Sequence, residues 1–155
     1  MNEGPKVKGN PLRIGVALLV FSYLIGEFFI PKFLYIFYFL KLLGILGMIF
    51  SIYLFFSGFS IFKSYEENPV PTSDTNRIIK TGIFAYSRNP IYLSFVLFHL
   101  SMFLVFENIM YFISSLGIFF WLNHYVIKEE EDYLIKKFPV EYPRYIKAVR
   151  RWIFF

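Results

Sequence analysis

Cysteine is missing from all 155 residues, which excludes disulfides, thiolate metal ligands and a thiol nucleophile. Charge is scarce as well, at 17% of residues where a soluble domain carries about 25%. The glycines never form the Gly-x-Gly-x-x-Gly turn of a dinucleotide fold, and no strand–helix alternation exists to carry one. Only two histidines occur, His99 and His124, and neither has cysteine or carboxylate company at metal-ligand spacing, so no metal site is expected. For His99, in the third apolar run, the expected role is a hydrogen bond between helices.

What is abundant is apolar surface: 57% of residues are hydrophobic and 23% aromatic. These residues run on continuously instead of striping one helix face, a pattern that suits a bilayer better than a water-surrounded core. Four spans are predicted, at about 14–30, 33–62, 90–106 and 109–127. The first ends at Pro31-Lys32, and the third starts on Pro90, a good first helical residue. The second would be about 45 Å long against a hydrocarbon core of about 30 Å, so it must tilt or project. Glu107-Asn108 is expected to make a tight turn, and Glu27 and Lys41 to pair or snorkel at the outer face. After Ile127 the chain reads as a short helix to about Lys137, a break at Phe138-Pro139, and a last helix opened by Pro143. The expected class is all-α: a polytopic membrane protein of about four transmembrane helices plus a C-terminal cytoplasmic helical segment, in one domain. Although Lys6, Lys8 and Arg13 precede the first apolar run, its length and its lack of a small-residue cleavage site favour a membrane helix over a signal peptide.

The net charge of +5 does not point to nucleic acid, because the basic residues flank the apolar spans instead of forming one stripe. Counting lysine and arginine puts 14 on the side of the N-terminus, the 63–89 loop and the tail, against Lys32 and Lys41 opposite. Both termini and the central loop are therefore expected in the cytoplasm.

Three polar elements fall on that side. Thr81-Gly-Ile-Phe-Ala-Tyr-Ser-Arg-Asn-Pro-Ile-Tyr92 carries an arginine, an amide and two tyrosines into the third span. Polar groups at that depth are costly unless used, so a ligand site is the default hypothesis. Proline after Asn89 keeps that residue out of helical conformation and leaves first-turn amides free for an anionic group. The competing reading is a helix start with a snorkelling arginine. Glu130-Glu131-Asp-Tyr-Leu134 is the second element. With Ile127 at 0° and about 100° per residue, Leu134 and Phe138 fall within about 20°, and Glu130 and Glu131 at about 60° and 40°. Glu129, Asp132 and Lys136 fall on the far side, Asp132 and Lys136 at ion-pair spacing. A charged run capping the fourth span is the bland alternative. The third element is Tyr142-Pro-Arg-Tyr145 followed by Val149-Arg-Arg-Trp152.

In this order and spacing, over about 69–152, the elements resemble the isoprenylcysteine carboxyl methyltransferase and phospholipid methyltransferase family of integral-membrane enzymes. The resemblance implies S-adenosylmethionine held at the cytosolic membrane edge and a lipid or lipidated acceptor entering between helices. Carried over by motif, the cofactor contacts would be Asn76, Arg77, Ile78, Ile79, Gly82, Phe84, Asn89, Pro90, Ile91, Tyr92, Glu130 and Glu131. Arg88, Tyr92 and Arg150 are positioning candidates; Lys128 and His124 are substrate candidates. Asn89 stands where many members have histidine, and Pro139 where glycine is usual. Val126 occupies the position of the substrate-carboxylate arginine of the prenylcysteine enzymes. A carboxylate acceptor needs no base, whereas an amine must lose a proton, and no dedicated base is evident; the acceptor expected on that ground is a carboxylate, with a phospholipid amine as the alternative. A non-catalytic membrane scaffold and an NADPH-dependent membrane reductase are the rivals from other classes.

Overall fold

A computed structural model describes residues 4–29 and 38–153, and among them every regular element is helical. The expected boundaries at Ile30 to Phe33, with Lys32, lie outside the described residues. Helix α1 (Pro11–Phe28) begins earlier than the apolar run because Asn10 caps it. The Asn10 Oδ1 accepts from the amides of Leu12 (3.0 Å) and Arg13 (3.2 Å), and Pro11 takes the first turn. Helix α2 (Tyr38–Ser64) has 27 residues, about 40 Å at 1.5 Å each. Helix α3 (Pro90–Phe106) starts on its proline and stops at Glu107, whose left-handed φ of 57° makes the expected tight turn. Asn108 then caps α4 (Ile109–Trp121) through the Met110 amide at 3.0 Å.

The helix of the fourth span runs on past Ile127 without a break. A π-helical turn (Leu122–Ile127) joins α4 directly to α5 (Lys128–Lys137), giving one continuous helix from Ile109 to Lys137. The break at Phe138-Pro139 follows, then α6 (Glu141–Ala148) with Pro143 in its first turn. Three of these helices are long and apolar enough to cross a bilayer: α1, α2 and the continuous 109–137 helix. Helix α3, at 17 residues, is shorter and equally apolar. Phenylalanines such as Phe39, Phe56 and Phe120 are exposed, as lipid-facing side chains are.

Small residues set the pairing. A Cβ on Gly58 would lie 2.4 Å from Ile91, and one on Gly47 would lie 2.4 Å from Ser101 Oγ, so α2 and α3 run antiparallel with their backbones close. On the other side, Gly26 abuts Asn108 and Gly15 abuts Ile118, which fixes α1 antiparallel to α4. His99 Nδ1 lies 2.8 Å from Ser114 Oγ, the expected bond between helices. At the turn end Lys41 pairs with Glu107 at 3.1 Å, and Glu27 accepts from Asn108 at 3.3 Å. The Asp132–Lys136 pair suggested by spacing does not form; both side chains are exposed, and it is Lys137 that finds a carboxylate, on Asp74. These pairings bring the start of α1, the 65–89 loop and everything after the π-helical turn to one end of the bundle.

Candidate active site

At that end the first motif turns on Gly82, whose φ of +59° is a conformation that side chains rarely adopt, and a Cβ there would meet Ile61 at 2.7 Å. The short 3₁₀ turn it opens (Gly82–Ala85) buries Phe84, whose carbonyl accepts from Tyr145 Oη at 2.6 Å. The tail then runs beside residues 87–89. The Arg88 amide donates to the Arg150 carbonyl (3.0 Å). Ser87 Oγ and the Asn89 side-chain amide both donate to the Arg151 carbonyl, at 3.2 and 3.1 Å. Asn89 therefore spends its amide group on the tail, while its backbone starts α3. The first and third motifs meet because main-chain and side-chain donors of one satisfy carbonyls of the other.

The two central carboxylates have different surroundings. Helix α5 turns Glu129 and Asp132 outward, buries Glu131 and leaves Glu130 half-buried, in line with the angles counted from Ile127. Glu131 receives Arg88 at 2.6 Å and Arg151 through both its Nε (3.2 Å) and its Nη2. Arg88 also donates to the Val149 carbonyl at 2.7 Å, and Arg151 to Asn123 Oδ1, on the π-helical turn, at 2.9 Å. Arg88 and Glu131 expose only 8% and 10% of their side chains, so this is a buried, doubly compensated carboxylate. Among the described residues Glu130 has a single hydrogen bond, accepted from Tyr92 Oη at 2.7 Å. Arg88 Nε is buried with no partner among the described residues.

Loop 66–81 closes the opposite wall. Glu67, almost fully buried, accepts from Thr75 Oγ1 (3.0 Å) and the Asn76 amide (3.2 Å), with Arg77 Nε at 3.5 Å. Asp74 accepts from Lys137 Nζ and Tyr133 Oη, and these two contacts hold its carboxyl below the usual carboxylate range. Lys80 pairs with Glu141 on α6. Burial pushes the Tyr142 and Tyr145 phenols up, the Glu131 charge adding to the effect at Tyr142, so both stay protonated donors.

The pocket between these walls brings together most of the residues the motifs singled out. Every cofactor candidate lines it except Asn76 and Gly82, which shape the loop through the Asn76 amide and the Gly82 turn. Arg88 lines it too. Lys128, His124 and Arg150 do not; all three are exposed, and His124 Nδ1 donates to the Phe120 carbonyl at 2.8 Å. The π-helical turn accounts for the first two, because it commits Leu122, Val126 and Ile127 to the core and turns His124 and Lys128 away. Val126 is fully buried beside Tyr92 and Trp152, so no cation could sit there. Tyr133, Tyr142, Tyr145 and Arg151 lie in the motifs but were given no contact with the cofactor, and sequence reasoning passed over Glu67 and Pro5. Glu67 and Arg151 carried a signal, as charges beside a span end and a motif; Pro5 carried none. Among the described residues no group of three or more His, Cys, Asp or Glu is placed to hold a metal ion.

A helical membrane protein whose sequence motifs wall a single pocket at one end of the bundle is the class these observations define. The phospholipid methyltransferase family model matches residues 39–141, from α2 to the start of α6, and the chain belongs to that family. No curated protein and no solved structure matches it. Membership makes it a membrane methyltransferase of the kind that acts on lipid. The matched stretch stops before Arg150-Arg-Trp152, and it is hydrogen bonding to residues 87–89 that ties this last segment to the site.

Proposed function

We propose that the protein transfers a methyl group from S-adenosylmethionine to an aminophospholipid headgroup at the cytoplasmic face of the membrane. The observation that carries this reading is the pairing, in one pocket, of a singly bonded carboxylate, Glu130, with the open N-terminus of α3, in a chain of the phospholipid methyltransferase family.

The residues present fit the cofactor. Glu130 keeps acceptor capacity beyond its bond from Tyr92, which suits ribose hydroxyls or an ammonium group. The Ile91 and Tyr92 amides, in the first turn of α3, have no carbonyl within the helix to bond and favour a carboxylate, as does the unpartnered Nε of Arg88. Phe84, Ile79 and Phe62 offer an apolar slot for a flat ring. When bound, the cofactor supplies an electrophilic methyl group on a sulfonium. The protein's own part is to align the acceptor and exclude water.

The acceptor inference rests on charge. Arg151 and the two Nη atoms of Arg88 are taken up by Glu131 and the Val149 carbonyl, and the remaining Arg88 Nε is the group assigned above to the cofactor's carboxylate; with Arg77 by Glu67 and Val126 in the core, no second guanidinium is left for a carboxylate acceptor. An amine acceptor replaces the carboxylate expected from sequence: its nitrogen takes the methyl as the carbon–sulfur bond breaks and adenosylhomocysteine leaves, and the proton it sheds passes to Glu130, which keeps acceptor capacity, or to solvent. Basic residues flanking the spans on the motif side support the cytoplasmic placement.

Native membranes incubated with methyl-labelled S-adenosylmethionine and the purified protein test this. Label should appear in the phospholipid fraction and survive alkali, as an N-methyl group does. Release of labelled methanol by alkali would mean a methyl ester and would overturn the acceptor assignment.

A further inference from the structure

The N-terminal segment reaches the pocket. It was read above only as positive charge ahead of a span, yet Pro5 is buried and forms part of the pocket wall. Three anchors hold the segment across the motif end of the bundle. At its α1 end, Gly9 turns at a φ of +87°, where a Cβ would meet Ile14 at 2.9 Å and Trp121 at 3.4 Å, and Asn10 caps the helix. In the middle, Val7 packs on the buried cluster that contains Tyr92, Val126 and Trp152, and its amide donates to the Pro5 carbonyl at 3.0 Å. At the far end, Gly4 lies against the 72–73 backbone of the loop that closes the site. A Cβ on Gly4 would stand 2.1 Å from the Thr72 carbonyl oxygen and 2.8 Å from the Ser73 carbonyl carbon.

We propose that residues 4–10 form a strap across the pocket, with Pro5 as a wall of the ligand site and the contact of Gly4 with Thr72 and Ser73 as its latch. Chemistry and geometry agree on this. Glycine alone allows the two backbones to approach so closely, and proline presents an apolar, conformationally fixed wedge beside Pro69, Val70 and Pro71 of the loop. Loop 66–81 is clasped to α5 and α6 by Asp74 and Lys80, so the strap is the piece that joins it to α1. Ligand exchange then requires the latch to open, and the strap restricts the volume beside the apolar wall. That this ligand is S-adenosylmethionine rests on the reading above; the strap itself does not.

The absence of cysteine makes a direct test simple. Ser73→Cys, beside the latch, is labelled with a polar maleimide in detergent without ligand, alone and together with Gly4→Val. The added side chain should force the latch open and raise the labelling rate about tenfold, the factor that about 1.4 kcal/mol corresponds to. A Ser115→Cys reporter, buried between α3 and α4, should stay protected in both backgrounds. As a second measurement, Gly4→Val without the cysteine should speed the release of adenosylhomocysteine by a similar factor. Equal labelling with and without Gly4→Val would overturn the strap. A labelling change in a protein that binds no adenosylhomocysteine would uphold the strap and remove the proposed cofactor.

Discussion

Glu130 and Glu131 face the same pocket from adjacent positions of α5, and the two regions around them are built differently. The Glu131 side is stapled. Two guanidiniums converge on its carboxylate, and the backbone and side chains of residues 87–89 are tied to residues 149–151. Charge and hydrogen bonds balance there within the protein. The Glu130 side has one phenol, the first turn of α3 with no side-chain cap, and apolar slots. One region is finished by the fold, and the other is left for a ligand to finish. A carboxylate at a site is thus not by itself a ligand contact; what matters is whether the protein has already compensated it.

The largest expected effect breaks the stapled side. Glu131→Ala leaves the buried Arg88 and the partly exposed Arg151 facing each other without a counter-charge and should destabilise the fold by about 3–5 kcal/mol, the usual penalty for removing one member of a buried ion pair. Thermal unfolding in detergent reads this with no ligand present. Glu130→Gln should do the opposite: little change in unfolding temperature, but cofactor binding weakened by about 1–3 kcal/mol through loss of a charge-assisted hydrogen bond. Glu129→Gln, on the exposed face, should change neither. A Glu130 variant that loses stability as Glu131→Ala does would erase the distinction between the two walls.

A smaller effect is expected at Tyr92. Tyr92→Phe removes the bond to Glu130 and should cost about 0.5–1.5 kcal/mol of stability, with ligand affinity falling because the carboxylate is no longer oriented. The smallest concerns the loop clasp. Asp74 has its carboxyl held below its unfolded value of 3.8 by Lys137 and Tyr133. Its contribution to folding is therefore present above pH 3.8 and is lost as the pH falls through the lowered folded value. Asp74→Asn should abolish that part of the acid dependence in a melting series between neutral and strongly acidic pH. Being partly exposed to solvent, the clasp should matter more to loop order than to global stability.

How much was legible in the sequence follows the same division. The span starts at Pro90 and Ile109, the turn at Glu107-Asn108 and the break at Phe138-Pro139 were readable because proline, asparagine caps and turn residues act locally. The inward face of α5 was readable because α5 is a regular helix from Lys128 onward. The π-helical turn before it was not, since π-helical geometry has no local signature and is set by packing around Leu122, Val126 and Ile127. That turn is what places the substrate candidates His124 and Lys128 at exposed positions outside the pocket. Arg150 was the positioning candidate and Arg151 an alternative for the missing substrate arginine, because two adjacent arginines are indistinguishable in a sequence. Only the pairing of residues 149–151 with 87–89 decides which of them points at Glu131. Glu67 and Pro5 act across long sequence separations, and no spacing rule reaches them.

The central claim is that the unfinished wall around Glu130 binds S-adenosylmethionine. Calorimetric titration of the detergent-solubilised protein with adenosylhomocysteine, with NADPH as the counter-ligand, tests it most directly. The account predicts saturable binding of adenosylhomocysteine, no binding of NADPH, an affinity loss in Glu130→Gln and none in Glu129→Gln. Binding of NADPH in preference to adenosylhomocysteine, or equal losses in the two glutamine variants, would contradict it.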